Sequence, residues 1–202
     1  MTRNLDIAED AGDFFENHYS SGTFSGAHSG TSTGTHSGPI STSATFPAGM
    51  VLNVVSSTKT DVQTFTSTYT ATTITGLSCV ITPKTTTSKF LITGFLSVGS
   101  SVATARTYCK LFRDSTQVGL GDAGASSQIR VMSEIENRPY AIRHLPINFL
   151  DSPTIPSTPI AITYSVKLEG GSQPYYVNRD GEDNGNNHAR AICTLTVMEI
   201  AG

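Results

Sequence analysis

Two groups of side chains in this 202-residue sequence have the types and spacing for chemistry. The first is Tyr175-Tyr-Val-Asn-Arg-Asp-Gly-Glu-Asp-Asn-Gly-Asn-Asn-His188. Tyrosine faces beside amide, carboxylate and guanidinium groups suit binding to a sugar-rich surface. Loops on rigid β scaffolds are the usual places for recognition. Tyr175, Tyr176, Asn178, Arg179, Asp183, Asn184 and Asn186 are therefore the candidate receptor contacts; the same run also reads as a solvated hairpin loop. Its oxygens could hold Ca²⁺, but the spacing does not fit an EF-hand loop. The second group is His28 with His36. In a threefold bundle each would form a ring of three imidazoles, which binds a transition metal or repels itself when protonated. HxH pairing and supporting carboxylates are missing, and the two also read as exposed spacers. No metal or other cofactor is expected.

Nothing in the sequence resembles a catalytic constellation. GxSxG, HExxH, a P-loop and a dinucleotide fingerprint are all absent. Asp151 and Asp180 lie in turn-like sequence and need only be turn formers. The expectation is a protein that is not an enzyme. A net charge of −3 offers no basic field for nucleic acid. No apolar run approaches the 18 residues of a membrane span. Met1-Thr-Arg-Asn-Leu-Asp6 leads into acidic residues, so no secretory signal is read. Cys79, Cys109 and Cys193 are odd in number and widely spaced, which argues against disulfides and zinc and for buried thiols of a protein made in a reducing cytoplasm.

These residues must be positioned by elements, and the composition limits which. Hydrophobic residues make up 37% and charged residues 14%, both low for a globular chain, and the deficit is filled by 53 Ser and Thr with 18 Gly. Such residues suit strands, turns and extended shafts better than helices.

Three regions follow. Residues 1–20 are acidic, and their apolar spacing predicts a short amphipathic helix, or else a frayed terminus; Gly12 weakens it. Leu5, Ile7, Phe14, Phe15 and Tyr19 are its candidate anchoring residues. Residues 21–45 carry Gly22, Gly26, Gly30, Gly34 and Gly38, a strict period of four. In an extended chain every Gly falls on one face, with Phe24, His28, Ser32 and His36 between them. A lone strand of this kind cannot satisfy its backbone, whereas several copies side by side can. The segment reads as an intertwined shaft of a homo-oligomer, with a flexible linker as the other reading.

Residues 46–202 read as all-β, with short apolar runs punctuated every 8–14 residues. Strands are predicted over 49–55, 62–70, 77–82, 88–98, 105–113, 127–134, 141–150, 159–169, 174–178 and 189–200. The cleanest alternation is Ile160-Ala-Ile-Thr-Tyr-Ser-Val-Lys-Leu168, with its even positions apolar. The last strand is apolar on both faces near its end, which places it inside a sheet or at a subunit interface. About ten strands in about 155 residues favour a two-sheet jelly roll over a smaller immunoglobulin-like sandwich.

The strings Ile147-Asn-Phe-Leu-Asp-Ser-Pro153, Thr158-Pro-Ile-Ala-Ile-Thr-Tyr-Ser-Val-Lys-Leu168, Tyr176-Val-Asn-Arg179 and Thr194-Leu-Thr-Val-Met-Glu-Ile200 resemble the C-terminal β-module of tailed-bacteriophage fibre proteins, those of marine and cyanobacterial phages in particular. Thr82-Pro-Lys-Thr-Thr-Thr-Ser-Lys-Phe-Leu-Ile92 fits the same pattern, and the resemblance covers about residues 46–202. It implies a trimeric jelly-roll head, similar in outline to the tumour-necrosis-factor-like class, at the distal end of a virion fibre. It supplies no binding residues.

The expected protein is a short homotrimeric tail fibre. Its partners are its own copies, another virion protein (baseplate, nozzle or capsid) met by the N-terminus, and a host cell-surface glycan or protein met by the head. A capsid decoration or head-fibre protein is the alternative, and a cellular cytokine-like or lectin-like module a third reading. The expected location is the virion, after synthesis in the host cytoplasm, without membrane insertion.

Overall fold

The computed structural model describes residues 46–202 apart from Ser67, Ala105, Gln173 and Asn186. The expected N-terminal helix with Leu5, Ile7, Phe14, Phe15 and Tyr19, and the glycine-periodic segment with His28 and His36, lie outside the described residues.

Among the described residues, alternating apolar residues and the turn formers between them produce eleven strands. They are β1 (Val51–Lys59), β2 (Gln63–Phe65), β3 (Thr72–Ile81), β4 (Lys89–Ser100), β5 (Arg106–Arg113), β6 (Thr116–Val118), β7 (Ser133–Glu136), β8 (Arg143–Asp151), β9 (Ile162–Gly170), β10 (Tyr175–Val177) and β11 (Cys193–Ile200). No helix occurs among the described residues.

Eight principal strands pair as a nested hairpin. The first pairs with the last (β1 with β11), then β3 with β9, β4 with β8, and β5 with β7, all antiparallel. Two further antiparallel pairings, β11 with β4 and β9 with β5, roll this hairpin into two sheets. One runs β1-β11-β4-β8 and the other β3-β9-β5-β7. That order defines a jelly-roll sandwich. The short β10 and β2 extend the first sheet beyond β11 and β1, and β6 continues the edge of the second.

The core lies between the sheets. Ile162, Tyr164, Val166 and Leu168 of β9 face Phe90, Ile92 and Leu96 of β4 and Leu195 and Val197 of β11 in one buried cluster. Each such side chain is worth about 1.5–3 kcal/mol when buried. A one-residue slip would turn a whole set to water, so the alternation also fixes the register. The last strand takes the interior position its two apolar faces predict, between β1 and β4. It passes so near β4 at Gly94 that a Cβ there would strike the Thr194 carbonyl. The three cysteines are free and buried.

Several boundaries differ from the sequence expectation. Within the run 62–70 the described strand is 63–65, and the Gln63 side chain ties it to β3 by donating to the Thr73 carbonyl (3.0 Å) and accepting the Thr75 amide (2.9 Å). The strand expected at 127–134 begins at Ser133. β3 starts earlier than expected and absorbs a bulge between Thr73 and Ser78, where Gly76 takes a φ of 78°. β6 was not expected; it returns from β5 over a turn in which Asp114 has a φ of 52°.

Strand direction sorts the loops. The chain enters at Phe46–Met50 beside its own C-terminus: the Gly49 amide donates to the Ala201 carbonyl (2.7 Å) and the Ala201 amide to the Met50 carbonyl (2.8 Å). The connections 82–88, 114–132 and 152–161 lie at this same end. The connections 60–71, 101–105, 137–142 and 171–192 lie at the other, separated by the length of β4, about 40 Å at about 3.4 Å per residue.

Candidate functional site

The loop end opposite the chain entry carries the concentration of shaped polar groups. Its organiser is Asn178, at the exit of β10. Its φ of 65° is tolerable because Asn is one of the few residues that visits the left-handed region readily. The Asn178 amide donates to the Ser97 carbonyl (2.9 Å), and its own carbonyl accepts the Ala191 amide (3.1 Å). Its side-chain Nδ2 donates to the carbonyls of Lys59 (2.8 Å) and Asp61 (3.0 Å), while Oδ1 accepts the Cys193 thiol (3.0 Å). One buried residue thus ties β4, through its backbone amide, and the β1–β2 turn and β11, through its side chain, to the base of the loop.

From there the loop is bolted directly to β4. A Cβ at Gly99 would meet the Arg179 carbonyl and the Asp180 backbone, and one at Gly181 would meet the Ser100 carbonyl. Backbone lies on backbone, so glycine is needed at both positions. Asp180, buried, then closes the turn. Its Oδ1 accepts the amides of Glu182 (3.1 Å) and Asp183 (2.9 Å), and its Oδ2 accepts from His188 Nδ1 (2.7 Å). Burial opposes ionisation of Asp180, but the Asp183 amide, the His188 imidazole and the Glu182 amide outweigh it and hold the carboxyl below the usual range.

A second layer faces outward. The Arg179 guanidinium sits 3.5 Å from the Tyr176 ring centroid, a cation–π contact. Arg190 Nη2 donates to Asp183 Oδ2 (2.6 Å), with Arg179 Nη1 3.8 Å from the same oxygen. Glu182, Asp183, Asn184 and Asn187 are exposed around Gly185 at the tip.

The structure therefore divides the residues nominated from sequence. Tyr175 is buried, stacked at 5.0 Å on Phe65, and burial pushes its hydroxyl up to about 12. Tyr176 and Asn178 are buried as well. These three hold the loop from beneath. Arg179 is partly exposed, Asp183 and Asn184 are exposed, and Asn186 lies outside the described residues.

Sequence reasoning missed two tyrosines at this end. Tyr69 is 66% exposed and Tyr140 69% exposed. Their φ values are 51° and 61°, a region bulky side chains rarely adopt. Tyr140 lies 6.3 Å from the His188 ring, so the 137–142 and 171–192 loops meet there. Thr104, Asn178 and Asp183 also have positive φ, so among the described residues five of the six such non-glycine residues lie at this end. Stored backbone strain of this kind concentrates at functional sites. Pro139 was the available signal for Tyr140, as a turn marker. Tyr69 was hidden inside a Thr-rich run that reads as strand.

The chain-entry end is different. Asp151 accepts both oxygens' worth of hydrogen bonds from Arg113 Nη1 (2.8 Å each) and one from the Tyr164 hydroxyl (2.8 Å). Burial, reinforced by Asp151, raises the Tyr164 hydroxyl. Among the described residues, no group of three or more His, Cys, Asp and Glu is arranged to hold a metal ion.

The class the strand order defines is a jelly-roll sandwich with one loop-rich end. No family model matches the chain, and no curated protein matches it. Solved structures do. It is similar to the structure of the infectious bursal disease virus Gt strain, with 18% identity and a TM-score of 0.43 over 85% of this chain and 42% of that one. The Gx strain gives 18% identity and a TM-score of 0.38 over 74% and 37%. The tripod from the baseplate of bacteriophage Tuc2009 gives 12% identity and a TM-score of 0.22 over 100% and 96%. The chain spans less than half the length of the two bursal disease virus chains.

Proposed function

We propose that this chain is a virion structural protein, a short homotrimeric tail fibre of a tailed bacteriophage. Residues 1–20 attach it to another virion protein, residues 21–45 form a shaft, and the jelly roll meets the host surface. One observation carries the reading: the chain enters the sandwich at the end opposite the strained, aromatic loop end. A domain held at its entry end presents those loops outward. Tyr69, Tyr140, Arg179, Asp183, Asn184 and His188 are the proposed contacts for a cell-surface glycan or protein. Weak single contacts suffice, because linked copies raise avidity by about 10² to 10⁴.

Gold-labelled antibody against residues 46–202, imaged on particles of the source phage, tests this. Label at the tail supports the fibre. Label spread over the capsid makes the chain a decoration protein and removes the receptor role from the loop end.

A further inference from the structure

The sequence contains one Asn-Gly step, Asn184-Gly185, and one Asp-Gly step, Asp180-Gly181, both in the connection between β10 and β11. The two share a latent chemistry. The backbone nitrogen of the glycine attacks Cγ of the residue before it and closes a succinimide ring. Glycine favours the attack because no side chain shields its nitrogen. The two steps differ in how the fold holds them.

Asp180-Gly181 is locked. Asp180 is buried, its Oδ1 accepts the Glu182 and Asp183 amides, and its Oδ2 faces His188 Nδ1. Gly181 lies on Ser100 so closely that a Cβ would strike the Ser100 carbonyl. Ring closure there would pull Cγ away from all three partners and the backbone off β4.

Asn184-Gly185 is free. Asp183 is the last residue held on the approach to the tip, by Asp180 through its amide and by Arg190 through its carboxylate. Asn184 is exposed, and among the described residues neither its side chain nor the Gly185 amide makes a hydrogen bond. The Gly185 carbonyl accepts the His188 amide at 3.4 Å, a long and weak bond. Nothing stands within 4 Å of where a Gly185 Cβ would be. By contrast, Asn53 and Asn148 are held in paired strands, and Asn137 and Asn178 are buried.

We propose that Asn184 is a self-modification site, deamidated by its own backbone with water as the only co-reactant. The Gly185 nitrogen bonds to Asn184 Cγ and the Cγ–Nδ2 bond breaks. Ammonia leaves with the proton that the Gly185 nitrogen gives up. Water then opens the ring at either carbonyl, leaving aspartate or isoaspartate; nothing is oxidised or reduced. The product places a new negative charge beside Glu182 and Asp183, where Arg179 and Arg190 already serve Asp183. Isoaspartate also lengthens the main chain by a methylene. Resting on the contact role proposed above for this loop end, attachment to the host therefore declines as the protein ages.

The test incubates the full chain at pH 8, folded and in guanidinium, and follows each site by peptide mass mapping and by an isoaspartate-specific methyltransferase. Asn184 should gain about 1 Da in the folded chain at a rate within about threefold of the denatured rate. Folding should slow isoaspartate formation at Asp180 by at least tenfold. A larger slowing at Asn184, or folded-state deamidation of Asn53 or Asn148 as fast as that of Asn184, overturns the site. An unprotected Asp180 overturns the contrast between the two steps. Asn184→Gln, whose longer side chain closes its ring far more slowly, should remove the methyl acceptor at this position. Aged wild type should attach to host cells at least threefold more weakly than fresh protein, whereas Asn184→Gln, whatever its starting attachment, should not change with age. Deamidation without loss of attachment keeps the modification site and overturns the contact role of the tip.

Discussion

The Oδ2 atom of Asp180 lies 2.7 Å from Nδ1 of His188, across a loop whose tip is otherwise exposed. With Oδ1 taking two backbone amides, this one carboxylate closes the turn and sets the position of His188 beside Tyr140. The shape of the loop end thus depends on a buried acid.

Replacing Asp180 with Ala should loosen that end and leave the sheets intact. Two amides and an imidazole lose their acceptor, a loss of about 1–3 kcal/mol. Amide hydrogen exchange at Glu182 and Asp183 should accelerate by at least tenfold, while exchange in β4 and β9 stays slow. Uniform acceleration through both sheets would show that Asp180 supports the whole fold instead.

Acid should act on the same group. The native Asp180 carboxyl titrates below its unfolded value of about 3.9, so its contribution to stability is complete above that value. It fades as the pH falls through the lower native value. Exchange at the Glu182 and Asp183 amides, corrected for intrinsic rates, should be constant from pH 7 to pH 5 and rise below about pH 4. A rise that begins near pH 6 would point to another group.

The thiols should be silent in the native protein. Burial pushes Cys109 up to about 12 and Cys193 up to about 11, and it raises Cys79 as well. At pH 8 almost no thiolate is present to attack. A disulfide reagent should titrate none of the three natively and all three in denaturant. Fast labelling of one thiol in the folded chain would contradict the packing of that strand.

Gly94→Ala should cost about 1–3 kcal/mol, because the new methyl strikes the Thr194 carbonyl in the adjoining strand. The denaturant midpoint measures it. An unchanged midpoint would mean that β11 and β4 can separate without loss.

Tyr140→Ala should leave the denaturant midpoint unchanged and weaken attachment of a single head to host cells by about tenfold, or ~1.4 kcal/mol. Retained attachment would move the contact surface away from the 137–142 loop.

Much of the sandwich was legible in the residues. The alternation of Ile160, Ile162, Tyr164, Val166 and Leu168 predicts a strand with one buried face; the structure buries the last four and leaves Ile160, ahead of β9, 65% exposed. In the strand expected over 141–150, Leu145 and Ile147 are buried too. The site was less legible. Tyr175 and Tyr176 read as binding residues because a loop flanked by tyrosines looks the same whether its rings face water or core. Only the pairing of β10 with both β4 and β2 puts them inside.

The sequence by itself determined the strands and their inward faces, since a period of two follows from local stereochemistry and from the cost of wetting apolar side chains. Tertiary structure decided which strands became neighbours, and with that which candidate residues share one end. Val54, Met198, Leu91 and Leu150 are scattered over 145 positions of chain, and only the register of three pairings makes them one row. Tyr69, Tyr140 and the Asp180–His188 turn share one end only because strand direction alternates through the rolled hairpin. Such long-range pairings are set by the closing of the core, which no local pattern encodes.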